Sequence, residues 1–267
     1  MNKRFALCVV TYYPEDHLKG RLVMALALGY AVYVYDNTPG GCLWQGDADL
    51  QGVCWMGSKE NDGMGKALQA LLPAVKAAGL DGAFYVDQDT HFTRDTLDWL
   101  DHWLMEHPEA LHRWGALNFV SCAAEADDIA SVSLMVSAGT LFNLKAMEVI
   151  GWHSARWFLE CVDYEWCGRA LKAGYALGRV KGCSGLDHSV YQPMASVRWM
   201  GENRSFRLYP IGRSSRFVWG LLKLGTWGLW NRLPKYAWAC YRNVFTHGAD
   251  QLRALGLFFI KKWGLGT

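Results

Sequence analysis

The sequence contains no pair of cysteines at the Cys-x-x-Cys spacing, although it has eight cysteines in 267 residues. Several of them lie inside apolar runs, as Cys8 does in the run Ala6–Val10. Isolated thiols in apolar surroundings are typical of buried free cysteines in a reducing compartment. This spacing argues against both a disulfide framework and a zinc site.

Long uncharged apolar stretches and a leader-like amino terminus are also missing. The short apolar run after Lys3 and Arg4 meets Thr11–Pro14 without a small-residue cleavage pattern. No uncharged apolar stretch reaches the length of about 20 residues that a membrane-spanning helix needs. We therefore expect a cytoplasmic protein without a signal peptide.

A glycine-rich, basic loop is absent after the first apolar run, which ends in Thr11–Pro14. Nucleotidyltransferases share an α/β architecture and metal-binding aspartates, but they normally carry such a loop at this place. Internal repeats and low-complexity segments are absent as well. These absences favour an ordinary globular α/β enzyme of another class.

Acidic residues are scarce at the carboxyl end of the chain. Between Arg198 and Thr267 there are twelve lysines and arginines against Glu202 and Asp250, although the net charge of the whole chain is only +2. This tail also holds six of the fourteen tryptophans. No recognisable nucleic-acid-binding module accompanies the basic charge, so we expect no nucleic-acid partner.

Two apolar runs of the tail, Phe217–Leu222 and Leu255–Ile260, are too short to cross a bilayer. Basic, tryptophan-rich segments of this kind fit the headgroup zone of an anionic membrane. We expect one or more interfacial helices between about Arg213 and Trp263 that dock the protein on the cytoplasmic face of the inner membrane. The alternative is that this segment covers the preceding domain or forms an oligomer interface.

Strands and helices alternate along the first half of the chain. Helices are predicted from about Leu18 to Leu28, from about Lys66 to Ala78 and from Thr93 to about His107, and strands at Phe5–Val10, Ala31–Tyr35, Val53–Met56 and Gly82–Asp87. This order predicts a mostly parallel, doubly wound sheet. The second half is more mixed, with strands at Leu117–Cys122, Val132–Val136 and Ala176–Val180, a short helix capped by Asn143, and a helix at Val162–Ala173.

Polar residues follow the predicted strands at the points where they end: Thr11, Asp36, Asn61 and Asp87. In a parallel sheet the carboxyl ends of the strands form one edge, where ligands bind. Asp87 and Asp89 are separated by one residue, so both carboxylates can face one spot. Paired carboxylates suit a hard divalent cation that holds phosphate oxygens, although this spacing also occurs by chance at solvated strand ends.

The ordered motifs resemble those of the bacterial family 2 glycosyltransferases, within them the rhamnosyltransferase-like branch. The resemblance covers roughly residues 5 to 190 and rests on the segments Val9–Tyr12, Tyr35–Thr38, Asn61–Ala67, Val86–Thr90, Ser137–Thr140, Phe158–Cys167 and Asp187–Ser189. It implies a single Rossmann-like GT-A catalytic domain, which we place at residues 1–200. A helical, basic segment at 201–267 would follow it.

The resemblance also implies a nucleotide-sugar site. Thr11 and Asp36 would bind the nucleobase, Asp87 the ribose, and Asp89, Asp87 and His188 would hold Mg²⁺ or Mn²⁺ on the diphosphate. The remaining donor-binding positions would be Tyr12, Asn61, Gly63, Gln88 and Gly139. Lys66 stands where the family usually has a small residue, so it is either a diphosphate contact or solvated, and we favour the second.

Asp163 matches the catalytic base of this branch, with Glu165 as the alternative base or as a residue that orients the acceptor or a basic side chain. Trp157 and Trp166 are assigned to an acceptor pocket, although most aromatics in such a chain belong to the core.

The resemblance implies an inverting, metal-dependent transfer of L-rhamnose from dTDP-rhamnose to a saccharide acceptor that is lipid-linked on polyprenyl diphosphate. The reaction would belong to the synthesis of an O-antigen or capsule. UDP-galactofuranose or UDP-hexose are alternative donors on the same scaffold. A non-catalytic membrane-bound homologue is a further alternative, against which the intact residues Asp87, Asp89, Asp163 and His188 argue.

Overall fold

A computed structural model describes residues 3–121, 129–188, 195–199 and 202–263 of the chain. Its contacts divide the chain into two units, Met1–His188 and Ser189–Thr267. The domain boundary that we expected near residue 200 remains a prediction.

The strands and helices of the first unit alternate as the sequence indicates. Its strands are β1 (Phe5–Thr11), β2 (Val32–Asp36), β3 (Val53–Met56), β4 (Gly82–Asp87), β5 (Thr90–His91), β6 (Trp114–Val120), β7 (Ala130–Ser131), β8 (Thr140–Asn143), β9 (Ala176–Lys181) and β10 (Asp187–His188). Its helices are α1 (Asp16–Ala27), α2 (Gly63–Ala77), α3 (Arg94–Glu106), α4 (Ala110–Arg113), α5 (Leu144–Ile150) and α6 (Val162–Lys172).

Eight strands form one sheet in the order β3-β2-β1-β4-β8-β6-β9-β7. The first four strands are parallel, and β6 is parallel to β9. Strand β8 runs antiparallel to both of its neighbours, and β7 is antiparallel to β9. The predicted α/β class with a mostly parallel central sheet is confirmed.

The centre of this sheet is covered on both faces. Every residue of β1 is buried, and β4 is buried from Gly82 to Val86. A central parallel strand is apolar at every position because helices cover both faces of the sheet, so that all of its side chains are buried. Burial ends abruptly at the carboxyl end of β4, where Asp87 is half-buried and Asp89 is exposed.

Two predicted helix caps are confirmed. The Thr93 hydroxyl accepts a hydrogen bond from the backbone N–H of Thr96 at the start of α3. Asn143 Oδ1 accepts one from the N–H of Ala146, 3.1 Å away, at the start of α5. Each bond satisfies a donor that the helix itself leaves without an acceptor.

The strand predicted at Val132–Val136 is wrong. The chain forms a short edge strand at Ala130–Ser131 and the central strand β8 at Thr140–Asn143 instead. The carbonyl of Val136 accepts a hydrogen bond from the Thr140 hydroxyl at 2.7 Å, and the carbonyl of Ala138 accepts one from Asn118 Nδ2 at 2.9 Å. Side chains therefore bond these carbonyls in place of a neighbouring strand.

The second unit contains a β-hairpin and two long helices. Strands β11 (Ala195–Trp199) and β12 (Glu202–Phe206) are antiparallel, and helices α7 (Ile211–Trp230) and α8 (Pro234–Lys262) follow them. The predicted helices of the tail are thus confirmed as helices. Within the residues that the model describes, no helix is both long enough and apolar enough to cross a membrane.

Two glycines allow α7 and α8 to pack closely. A Cβ atom at Gly225 would lie 2.7 Å from the ring of Tyr241, and one at Gly228 would lie 2.7 Å from the ring of Tyr236. Tyr236 is buried, and its ring fills the space that Gly228 leaves, while the ring of Tyr241 fills the space at Gly225. The two helices therefore pack directly through backbone and aromatic rings.

Gly65, in the first turn of α2, packs closely against the backbone of the segment that contains Ser154 and Trp157. A Cβ atom there would lie 2.2 Å from the carbonyl oxygen of Trp157 and 2.4 Å from that of Ser154. We expect Gly65→Ala to lower the free energy of unfolding by about 1–3 kcal/mol, because backbone atoms must move to relieve the overlap. Urea unfolding of the purified chain measures it.

Gly20 in α1 provides the matched control, because a Cβ atom there meets nothing within 4 Å. Gly20→Ala should raise the free energy of unfolding by up to about 1 kcal/mol through helix propensity alone. Equal effects of the two substitutions would contradict the packing described for Gly65.

Candidate active site

Parallel pairing aligns the predicted site residues at one edge of the sheet. Thr11 at the end of β1 is paired with Asp36 at the end of β2, and Val10 is paired with Asp87 at the end of β4. Asn61 lies two residues before the start of α2, and its Oδ1 accepts a hydrogen bond from the N–H of Gly63 at 3.1 Å. The structure thus brings Thr11, Asp36 and Asp87 to one edge, as parallel topology requires.

The Asp36 carboxylate is buried and organises the loop after β2. It accepts hydrogen bonds from the Thr11 hydroxyl at 3.1 Å and from the backbone N–H of Thr38 and Cys42 at 3.0 and 2.5 Å. A fourth bond, from Gln45 Nε2, is the longest at 3.3 Å. These four bonds match the acceptor capacity of a carboxylate, so a nucleobase imide would have to displace Gln45.

A tyrosine beneath the Asp87-x-Asp89 turn was missed by sequence reasoning. Buried Tyr85 donates a hydrogen bond from its hydroxyl to Asp87 Oδ1 at 2.7 Å. Its pKa is raised well above the ordinary value by burial first, and then by the negative charges of Asp87, Asp163 and Asp89. The charges of all three carboxylates that were predicted for the chemistry therefore act on one phenol, and Asp87 contacts it directly.

Arg21 on α1 was also missed. It is largely buried, and it donates hydrogen bonds to the backbone carbonyls of Thr90 at 2.8 Å and Gln88 at 3.4 Å. Burial lowers the pKa of the guanidinium, while the charge of Asp89 acts in the opposite direction. Arg21 thus places a cation against the backbone of the turn that carries Asp89.

The signal for Arg21 was present in the sequence. It lies among Leu18, Leu22 and Ala25, the buried positions of α1. A charged residue on the apolar face of a helix is expected to have a buried partner, and here the partners are carbonyl groups of the Asp87-x-Asp89 turn.

Tyr12 and Gln88, both predicted to bind the donor, are hydrogen-bonded to each other. The backbone N–H of Tyr12 donates to Gln88 Oε1 at 2.7 Å, which joins the loop after β1 to the turn after β4. The Tyr12 ring is exposed and meets Tyr13 edge to face, with ring centres 4.7 Å apart. The Gln88 side chain therefore supports the site, while the Tyr12 ring is accessible at its rim.

Asp163 lies in the first turn of α6, half-buried, and accepts a hydrogen bond from the hydroxyl of Ser137. Its pKa is raised to about 6, chiefly by burial and further by the charge of Asp87, while the Ser137 hydroxyl opposes the rise. The negative charge of Asp87 disfavours ionisation of Asp163 because the two charges have the same sign. Asp163 is therefore a carboxyl group that exchanges its proton close to neutral pH.

Gly139 has a backbone conformation with φ +70°, which favours glycine. Its N–H donates to the carbonyl of Tyr85 at 2.9 Å, and an added Cβ atom would lie 3.0 Å from the carbonyl oxygen of Phe119. Gly139 thus lets the segment that carries Ser137 pass closely over β4. This places Ser137 where it meets Asp163.

Glu165 forms a bidentate ion pair with Arg169 on the same helix, with N···O distances of 2.8 and 3.0 Å. Arg169 also donates to the carbonyls of Ile150, Gly151 and Trp152. Glu165 thus orients a basic side chain, one of the roles anticipated for it, and Arg169 ties the loop before α6 to the helix. Among the two candidates, this engagement favours Asp163 as the base.

Trp166 cannot serve the acceptor role that was predicted for it. Its side chain is buried, stacks on His153 with ring centres 5.6 Å apart, and donates from Nε1 to the carbonyl of Gly151 at 3.1 Å. A ring enclosed in this way presents no face to a sugar. It belongs to the core beneath the loop.

Trp157 is half-buried, and the neighbouring Phe158 is 56% exposed. Phe158 packs against Gly63, where an added Cβ atom would lie 2.5 Å from its ring, and its carbonyl accepts a hydrogen bond from the N–H of Met64 at 2.6 Å. Phe158 was not assigned a role from sequence, and it now joins Trp157 as an accessible aromatic at the site.

Lys66 forms an ion pair with Asp62 Oδ1 at 2.6 Å and is half exposed. Asp62 also accepts hydrogen bonds from the hydroxyls of Tyr35 and Ser58, both at 2.6 Å. Together these donors, Lys66 foremost, lower the pKa of Asp62 to about 2. The Asp62 network fixes the loop before α2, and the partner of Lys66 is a protein carboxylate.

Asp87 and Asp89 supply oxygen donors of the kind that Mg²⁺ and Mn²⁺ prefer. Among the described side chains, no group of three or more His, Cys, Asp and Glu converges as a ready-made metal site. The backbone of His188 pairs with Thr90 in the β10–β5 ladder, next to Asp89, whereas its side chain lies outside the described part of the chain. The two carboxylates would supply only part of the ligand set of such a cation.

No family model matches the chain. A curated protein, the dTDP-rhamnosyl transferase RfbF of Shigella flexneri, is 23% identical over 193 residues, which are 65% of this chain and 65% of that protein. The chain thus spans about two thirds of the length of this relative.

Two crystal structures of TarS from S. aureus share the fold. The match to one has a TM-score of 0.52 at 16% identity and covers 69% of this chain and 36% of the TarS chain. The other, of residues 1–349, has a TM-score of 0.51 at 14% identity and covers 69% of this chain and 60% of its own. At these identities the likeness establishes the architecture alone.

Arg21 should control the order of the Asp87-x-Asp89 turn. We expect Arg21→Met to cost about 1–3 kcal/mol, because two backbone carbonyls lose charged hydrogen-bond donors, and to speed amide hydrogen exchange in residues 87–92. Hydrogen exchange followed by mass spectrometry measures both the site and the extent of the change.

Arg94→Met is the control, since Arg94 is exposed at the start of α3, close to the same turn. Its effect should stay within about 0.5 kcal/mol. If Arg21→Met leaves hydrogen exchange in residues 87–92 unchanged, then Arg21 does not control the order of this turn.

Proposed function

We propose that this chain, which has the GT-A fold of the family 2 glycosyltransferases, is an inverting enzyme that transfers a sugar from a nucleoside diphosphate to an acceptor hydroxyl. One observation carries the proposal. The pKa of the Asp163 carboxyl is raised to about 6 by burial and by the charge of Asp87 at the end of β4, and the charges of Asp163, Asp87 and Asp89 all act on the same phenol, Tyr85. A base and a metal-binding pair adjacent to each other are what a direct displacement of a nucleoside diphosphate requires.

Asp163 is assigned as the general base. Its carboxylate removes the proton of the acceptor hydroxyl while the oxygen forms a bond to the anomeric carbon and the bond to the diphosphate breaks on the opposite face. The Ser137 hydroxyl holds the carboxylate in place through its hydrogen bond. A pKa near 6 leaves the base mostly ionised at neutral pH while keeping it basic enough to accept a proton.

Asp89 and Asp87 are assigned as ligands of Mg²⁺ or Mn²⁺, with His188 as a third ligand. When bound, the cation neutralises the charge that develops on the departing diphosphate. On the protein side, the Tyr85 hydroxyl fixes Asp87, and Arg21 fixes the backbone on both sides of Asp89. Asp87 also holds the ribose side of the donor.

The donor is assigned as a dTDP- or UDP-linked sugar. Thymine and uracil both have an imide N–H, which would donate a hydrogen bond to the Asp36 carboxylate. Displacement of Gln45 from Asp36 would open that position. We favour dTDP-rhamnose, in line with the name of the Shigella flexneri relative. UDP-galactofuranose and UDP-hexose remain the alternative donors, and a non-catalytic homologue remains the alternative outside the enzymes.

The acceptor is assigned as a saccharide, carried on polyprenyl diphosphate, in the synthesis of a cell-surface polysaccharide such as an O-antigen or capsule. The exposed rings of Tyr12 and Phe158 and the half-buried Trp157 offer stacking surfaces for sugars at the rim of the site. Such an acceptor would place the enzyme on the cytoplasmic face of the inner membrane.

Nucleotide binding tests the donor site. We expect dTDP or UDP with Mn²⁺ or Mg²⁺ to raise the melting temperature of the chain, because a ligand that binds only the folded state stabilises it by mass action. Thermal-shift assays with and without metal measure the effect, and dTDP-rhamnose should outperform UDP-sugars.

Asp89→Asn should abolish the metal-dependent part of this shift, whereas Asp95→Asn, at an exposed position of α3, should leave it intact. Absence of any shift with all nucleoside diphosphates and both metals would rule out the donor site.

The proton-accepting role of Asp163 predicts a pH dependence. Activity should rise as pH increases through about 6, where Asp163 ionises. Ser137→Ala removes a hydrogen bond that favours the ionised form, so it should move this rise to higher pH by up to about one unit. The rate loss should be greatest near pH 6 and should shrink at pH 8.

Asp163→Asn should reduce transfer by about 10²–10⁴-fold at every pH without weakening nucleotide binding. Ser131→Ala, at an exposed position of β7, is the control for Ser137→Ala. Full transfer activity of Asp163→Asn would refute the assignment of the base.

A further inference from the structure

The long helix α8 exposes an apolar stripe to solvent. Trp238, Phe245, Leu252 and Phe259 follow one another at intervals of seven residues and are exposed by 65, 72, 74 and 40%, and Trp263 extends the stripe beyond the helix. Seven residues are close to two turns of an α-helix, so these side chains lie along one face. Contiguous exposed apolar side chains of this kind are typical of a surface that binds another protein or a membrane.

The opposite face of α8 is already used. Tyr236, Ala237, Cys240, Ala254 and Leu257 are buried within the second unit. The stripe is therefore the outer face of a packed helix, and folding of the described residues leaves it uncovered.

The charge around the stripe is almost entirely basic. Between Ile211 and Trp263 there are nine lysines and arginines and one acidic residue, Asp250. On α7, Trp219 is 60% exposed and Lys223 lies 5.4 Å from the centre of its ring. Exposed tryptophans with basic neighbours suit the boundary between lipid headgroups and acyl chains.

A second copy of the chain fits this surface poorly. In a coiled coil with the stripe as its seam, the positions between the four large side chains would be Arg242, Ala249 and Gly256, which fill a seam badly. The charged residues that flank the seam would be Arg253 and Lys262, both basic, so two copies would repel instead of forming ion pairs.

We propose that α7 and α8 form a membrane-binding element whose α8 stripe inserts into the headgroup region of an anionic phospholipid bilayer. The large apolar side chains enter the boundary with the acyl chains, and residues such as Lys261 and Lys262 hold lipid phosphates. The helices lie along the surface. The proposal rests on the second unit alone and does not depend on the reaction proposed for the first.

Vesicle flotation of the full chain tests the proposal. We expect binding to vesicles that contain about 30% phosphatidylglycerol in phosphatidylcholine, weaker binding to phosphatidylcholine alone, and a loss of binding as salt screens the basic residues. The variant with Phe245→Ser and Leu252→Ser should bind at least about tenfold more weakly, because two apolar side chains no longer insert. Lys261→Gln with Lys262→Gln should reduce binding by about tenfold through charge alone.

Matched controls come from the first unit. Leu43 and Val149 are exposed apolar residues, 98 and 70% exposed, and Lys145 and Lys172 are exposed lysines. Leu43→Ser with Val149→Ser, and Lys145→Gln with Lys172→Gln, should leave vesicle binding unchanged. Circular dichroism and the melting temperature without ligand establish that every variant is folded.

Three outcomes would overturn the proposal. They are no flotation of the intact chain with anionic vesicles, equal flotation of the stripe variant and its control, and a dimer in light scattering that the stripe variant abolishes while vesicles go unbound. If nucleotide binding fails while flotation succeeds, the proposed reaction is wrong and the membrane-binding element stands.

Discussion

The burial of the Asp163 carboxyl near the charge of Asp87, at the end of β4, is the constraint on which the site depends. Asp87, Asp89 and Asp163 act together on the buried phenol of Tyr85, and the charge of Asp87 helps to raise the pKa of Asp163 to about 6. Such crowding is costly in a protein interior unless hydrogen bonds or cations offset it. The surrounding fold supplies the Tyr85 hydroxyl, the Ser137 hydroxyl and the Arg21 guanidinium. A divalent cation held by Asp87 and Asp89, as proposed, would reduce the negative charge near Asp163 further.

The parts of the site that sequence reasoning predicted are those that local rules control. In a parallel sheet the carboxyl ends of the strands lie at one edge, so the sequence alone predicts that Thr11, Asp36 and Asp87 lie together. Alternation along a strand does not extend to Asp89, because β4 ends at Asp87 and Asp89 lies in the turn that follows, so a shared position of the two carboxylates remains a prediction. The caps Thr93 and Asn143 follow from the chemistry of helix starts.

The parts that were missed or wrong depend on contacts between distant segments. Arg21 meets Thr90 across 69 residues, and Ser137 meets Asp163 across 26. No spacing rule connects such pairs. The strand predicted at Val132–Val136 was wrong because a short apolar run has the same sequence pattern in a strand and in a loop. The pattern does not show whether a neighbouring strand or side chains donate hydrogen bonds to its carbonyls. Trp166 was misplaced because aromatic character alone cannot distinguish a core ring from one at a sugar site.

Gly63 and Gly65 hold α2 in direct backbone contact with the loop that carries Trp157 and Phe158. In the proposed enzyme, the α2 end faces the donor and this loop faces the acceptor. A substitution that moves one of these two segments would therefore displace the other as well. Redesign of the enzyme for another sugar would have to take this coupling into account. Donor and acceptor preferences would have to be engineered together, with paired substitutions on both sides of this glycine contact.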